Sequence, residues 1–113
     1  MTEQSTFSVD SSGLATVNGP LTLDTVTAVF NQADASIRNG HRFSALDLSA
    51  VPHVDSSGLA LILEWQAMAQ QHGESLSVNN APADLLSLAK LCEANDLLTI
   101  EGRQDVAATD ALL

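Results

Sequence analysis

The most constraining stretch of the sequence runs from Leu46 to Leu63. Leu46-Asp47-Leu48 reads as the end of a buried strand, and Ser49-Ala50-Val51-Pro52-His53-Val54 as a short loop. Asp55-Ser56-Ser57-Gly58 then opens a Leu-rich segment that continues as a helix to about Gln71 and stops at His72-Gly73. Asp and Ser cap helix N-termini because their oxygens accept hydrogen bonds from first-turn N–H groups that lack partners. Gly58 has no side chain, so other atoms can approach the backbone closely there. A strand that hands the chain through a short loop to a capped helix is half of a crossover unit. It implies parallel strands with helices packed on them.

The flanking sequence agrees. Residues 1–6 read as a frayed start. Phe7-Ser8-Val9 begins an edge strand, Ser11-Ser12-Gly13 is a turn, and Leu14-Ala15-Thr16-Val17 completes a hairpin that Asn18-Gly19-Pro20 closes. Val26, Val29, Phe30, Ala33 and Ile37 fall on one face of a helix. Thr22 or Asp24 can cap it; Arg38 lies in its last turn, and Asn39-Gly40 end it. Phe43 to Leu48 alternates as a strand, with Ser44, Leu46 and Leu48 on one face and Phe43, Ala45 and Asp47 on the other. Ser75 to Val78 is a further strand. Pro82 suits the first position of a third helix that carries Leu85, Leu88, Ala89 and Cys92 on one face. Leu97 to Ile100 reads as a last short strand, and 103–113 as a tail.

The expected fold is therefore α/β: a mixed sheet packed with helices in the order strand, strand, helix, strand, helix, strand, helix. We expect one domain over 1–113 with its core at about 14–100. A chain of 113 residues has little room for a second domain.

Charge excludes several partners. Four Lys or Arg against fourteen Asp or Glu give a net charge of -10. That leaves no basic stripe for nucleic acid and disfavours an anionic membrane surface. A hydrophobic fraction of 45% excludes a disordered acidic tail. The longest apolar run, Leu59 to Leu63, is far short of a membrane span, so no direct membrane insertion is expected. The polar start Met1-Thr2-Glu3-Gln4 does not read as a secretory signal. A single cysteine, Cys92, cannot form an internal disulfide, and a reducing cytoplasm is its simplest setting. Cys92 reads as a small core residue and Trp65 as core.

Catalysis and cofactors find no support. His53, Asp55 and Ser56 are close in sequence, but neighbours in an extended loop point apart, and a triad needs each pair within hydrogen-bond reach. Asp47, His53 and Asp55 match no metal-ligand spacing. There is no Gly-rich phosphate loop and no Walker lysine. We expect no enzyme, no metal and no cofactor. Asp47 and His53 read as loop residues that support the Ser56 region.

The second helix is apolar over much of its circumference. Leu61, Ile62, Trp65, Met68 and Ala69 form one arc; Leu59, Ala60, Leu63 and Ala67 form another. One arc must pack on the sheet, and the other is free for neighbouring helices or a partner.

The strand, the loop, Asp55-Ser56-Ser57-Gly58 and the Leu-rich helix resemble the STAS domain, found in anti-sigma factor antagonists and in transporter subunits. The likeness covers about Leu14 to Ile100. Val54 to Leu63, with Leu88-Ala89-Lys90-Leu91, looks like the MlaB branch, the small cytoplasmic STAS subunit of a phospholipid ABC transporter. The resemblance implies a non-catalytic subunit, held at the inner membrane through its complex, that binds an ABC ATPase (MlaF-like) beside its permease. It makes Asp55, Ser56, Ser57, Gly58 and Leu59 the partner-binding and regulatory element. Ser56 follows the Asp directly and takes the position of phosphorylation in this family, although Ser57 offers a second hydroxyl. A phosphate there adds roughly -1.5 to -2 charges, which a helix N-terminus tolerates and a docked partner would not. The alternative reading is an anti-sigma factor antagonist switched by phosphorylation of the same serine.

Overall fold

The computed structural model describes residues 4–92 and 98–100. Strands β1 (Thr6–Val9) and β2 (Leu14–Asn18) form the expected hairpin, with Phe7 opposite Val17 and Val9 opposite Ala15. Its turn is organised by Asp10, whose Oδ1 accepts from the Ser12 N–H at 2.8 Å, the Ser12 hydroxyl at 2.6 Å and the Leu14 N–H at 3.1 Å. The Ser12 hydroxyl above all holds the Asp10 carboxyl below its usual range.

The chain continues through α1 (Val26–Arg38), β3 (Ala45–Ala50), α2 (Ser56–Gln71), β4 (Ser77–Asn79), α3 (Ala83–Leu91) and β5 (Thr99–Ile100). The strands lie in sequence order, β1 to β5, and pair in parallel from β2 onward. Each new parallel strand is added on the same side of the last. Right-handed crossovers therefore place all three helices on one face of the sheet. Burial follows. Phe7, Ala15, Val17, Leu46, Leu48 and Val78 are buried, while Thr16, Asp47 and Asn79 on the opposite face are half-exposed.

Against the buried face α1 sets Val29 and Ala33, α2 sets Leu61, Ile62 and Trp65, and α3 sets Leu85 and Ala89. Each large side chain so buried contributes about 1.5–3 kcal/mol. Trp65 packs against Phe7 and Phe43 at centroid distances of 5.6 and 5.5 Å, in the tilted and edge-on geometries that aromatic quadrupoles favour. Gln32 of α1 closes the outer edge of β1. Its Oε1 accepts from the Phe7 N–H at 2.8 Å, so that edge donor is not left free to pair with another strand.

Several local expectations are corrected. The fold begins before Phe7: Ser5 is buried and its hydroxyl donates to the Pro20 carbonyl. Neither Thr22 nor Asp24 caps α1. The helix starts after Thr25, whose hydroxyl instead donates to the Pro20 carbonyl at 2.7 Å and accepts from the Thr22 N–H at 3.0 Å. Strands β3 and β4 both start two residues later than the patterns suggest. At β4, Gln66 takes the Leu76 N–H, which keeps it out of the ladder. Pro82 is the N-cap of α3 rather than its first helical residue. Cys92 is exposed rather than core: it is the C-cap of α3, where the helix has ended and no packed face remains. The expected strand start at Leu97 and the tail 103–113 lie outside the described residues.

Candidate functional site

Beyond the ends of β2 and β3 the two following loops stay paired. The Gly19 N–H donates to the Ala50 carbonyl at 3.0 Å, Leu21 to His53 at 2.9 Å, and Asp55 to Leu21 at 3.1 Å. Leu21 and Val54 form an isolated parallel bridge. The paired loops deliver Asp55 to the start of α2 in an extended conformation suited to an N-cap.

Asp55 is the centre of the site. Its Oδ1 accepts from the N–H groups of Ser57 at 2.9 Å and Gly58 at 3.1 Å, as the sequence implied. Its Oδ2 reaches across to the Leu23 N–H at 3.0 Å. One carboxylate thus ties the first turn of α2 to the segment that leads into α1. Gly58 completes the joint. A Cβ there would lie 2.3 Å from the Leu21 carbonyl oxygen and 2.8 Å from Val54 Cγ1. The atoms that approach this glycine belong to its own chain.

The five motif residues therefore separate by exposure. Ser56 is exposed, Ser57 is half-buried, and Gly58 and Leu59 are buried. Leu59 faces the core, so a partner would meet Ser56 and the exposed residues that follow it along α2: Ala60, Glu64, Ala67 and Gln71. Leu63 lies at the margin of this strip. Of the second apolar arc, only Ala60 and Ala67 are outward.

Two features of the region were not foreseen. Leu23 is 74% exposed, yet its backbone is fixed by Asp55, so an apolar side chain stands in water at the site. A sequence signal existed: Leu23 interrupts an otherwise polar helix approach, Thr22 to Thr25. Gln66, a polar residue between Trp65 and Ala67 in the sequence, is buried and accepts from the Leu76 N–H at 3.1 Å.

The supporting loop residues act elsewhere than expected. Asp47 does not bond to the Ser56 region. It accepts from the Ser49 N–H at 3.0 Å and from Asn80 Nδ2 at 2.9 Å. The Asn80 amide first, then the Ser49 N–H, hold the Asp47 carboxyl below its usual range. Asn80 has φ 57°, a left-handed conformation that Asn tolerates better than most residues. His53 is exposed and its Nδ1 lies 3.3 Å from Asp84 Oδ2, which links the loop to the first turn of α3. Among the described residues no hydrogen bond joins His53 to Ser56, and no cluster of three or more His, Cys, Asp or Glu side chains is placed to hold a metal.

The arrangement has a consequence for an anion at Ser56. Helix N-termini bind phosphate through free first-turn N–H groups. Here Asp55 already takes those of Ser57 and Gly58. A phosphate on Ser56 would find two of the first-turn N–H groups already taken and would stand beside a carboxylate, with the helix dipole in its favour.

The chain matches the family profile described as the Mlab STAS domain over residues 7–99. It is also similar in structure to the anti-sigma factor antagonist SpoIIAA in its unphosphorylated form. The TM-score is 0.62 at 14% identity, covering 98% of this chain and 97% of that one, which is a likeness of fold. No curated protein sequence matches the chain significantly. No helix among the described residues is long and apolar enough to cross a membrane. With a mixed sheet, three helices on one face and a capped α2 behind the third strand, the chain belongs to the Mlab family of STAS domains.

Proposed function

We propose that this domain is a non-catalytic subunit that binds and regulates the ABC ATPase of a phospholipid transport system maintaining outer-membrane lipid asymmetry. In this reading it resides in the cytoplasm and is held at the inner membrane through the transporter complex. The observation that carries the reading is the exposed Ser56 at a rigid helix start, with Leu23 beside it, in a chain of the Mlab family. The backbone of Leu23 is tied to Asp55, which leaves its apolar side chain outside and available to a partner, and the acidic domain favours a partner with a basic rim. The experiment is co-purification from the native organism. The ATPase and its permease are expected with the unaltered chain and are expected to be lost with Ser56→Asp or Leu23→Glu. Retention of the ATPase by both folded variants would sink the proposal.

A second reading, an anti-sigma factor antagonist, is supported by the exposed Ser56 hydroxyl and the SpoIIAA-like fold. It requires a serine kinase among the co-purified proteins and an ATP-dependent phosphate on Ser56. Ser57, being half-buried, is the poorer acceptor.

A further inference from the structure

At the end of α2 remote from Ser56, roughly 24 Å along the helix, a slot opens between the C-terminal ends of α1 and α2. We propose that this slot binds a small carboxylate with a ring or branched apolar end. Its walls are Ile37, Phe43, Trp65 and Met68, and its rim carries Arg42, His72 and Glu74. An apolar recess with a few polar groups gathered at one side is the usual form of a small-molecule site.

Size limits the ligand. The concavity measures about 390 Å3 with its mouth included, but the recess itself is about 50 Å3. That is several times the roughly 10–15 Å3 needed by one water on the same scale. It admits part of a ring or a branched end. A long acyl chain does not fit.

Charge selects the sign. Arg42 Nη2 donates to Glu74 Oε1 at 2.8 Å, and this is the only hydrogen bond of its guanidinium among the described residues. A guanidinium has five N–H donors in a planar fork, so several remain for a second carboxylate. His72 adds a ring that can donate. His41 lies next to Arg42 on the adjoining polar concavity, which also carries Asp10 and Glu74, so the fixed positive charge at the slot rim is Arg42. The Ser56 end instead has Asp24, Asp55 and Asp84 near the helix starts. Glu74 is the internal competitor for Arg42, and its removal should favour an external anion.

Phenylacetate titrated into the full chain tests the site, because Trp65 is the only tryptophan and lies in the slot wall. A saturable fluorescence change is expected, with a dissociation constant on the order of 1 mM. Phenylacetamide and phenethylamine carry the same ring without the negative charge and should bind at least about tenfold more weakly. Arg42→Gln should weaken phenylacetate about tenfold, whereas Glu74→Gln should strengthen it about threefold. A gain in one variant is a result that misfolding cannot imitate. Absence of saturation with phenylacetate overturns the proposal. So does equal binding of the amide, or an affinity that neither substitution changes.

Discussion

The two ends of α2 are held by different chemistry. The N-terminal end is fixed by polar bonds: Asp55 collects three N–H groups, and Gly58 packs on the Leu21 carbonyl with no space between them. The far end is held by apolar packing around Trp65 and by Gln66, which bonds to Leu76 just ahead of β4. Directional bonds set the first end rigidly and leave the Ser56 side chain standing free of it. Packing fills the second end less completely and leaves a slot. A fixed post suits recognition by a protein, and a recess suits a small molecule.

The comparison can be broken at its tightest point first. Gly58→Ala drives a methyl into the Leu21 carbonyl and is expected to destabilise the domain by about 3 kcal/mol or more. Urea denaturation measures this, and a near-neutral result would mean the loop joint is soft. Gln66→Leu strands the buried Leu76 N–H and should cost about 1–3 kcal/mol by the same measurement. Asp55→Ala removes the cap and the Leu23 acceptor together, for about 1–2 kcal/mol. It should also speed amide exchange at Ser57, Gly58 and Leu23, while exchange at Leu76 stays slow.

Acid tests a smaller term. The folded Asp47 carboxyl titrates below its ordinary value of 3.8, so the folded state binds fewer protons than the unfolded chain. Its contribution is complete above about pH 4 and is lost as pH falls through the folded pKa. Asp47→Asn should flatten the stability profile below about pH 4, followed by circular dichroism. Equal acid slopes for variant and parent would contradict this. Smallest of all, Ser56→Ala should change stability by no more than about 0.5 kcal/mol, because the exposed hydroxyl makes no hydrogen bond to any described residue. A larger loss would make Ser56 part of the joint rather than free of it.

Much of this architecture was legible along the chain. Helix periodicity placed Val29, Ala33, Ile62, Trp65 and Leu85 correctly in the core, and Asp55-Ser56-Ser57-Gly58 announced both a helix start and the family. These signals are local: they depend on periods of two and 3.6 and on hydrogen bonds within a few residues. Where the reading slipped, the deciding contact was remote in sequence. Leu59, placed by the resemblance on the partner-binding element, is buried in the core beside Gly58, which is pressed on the Leu21 carbonyl. Asp47 bonds to Asn80 rather than to the Ser56 region, because parallel pairing sets β3 beside β4.

The order of elements, the parallel sheet, the acidic charge and the capped start of α2 follow from local patterns along the chain. Which motif residues remain at the surface depends on how distant segments pack. That packing left Ser56 and Leu23 outside, took Gly58 and Leu59 inside, and brought Arg42 beside Glu74 at the mouth of a slot. The physical reason is that capping and periodicity are settled within one or two helical turns, whereas exposure is set by what packs alongside, and those neighbours come from distant parts of the chain.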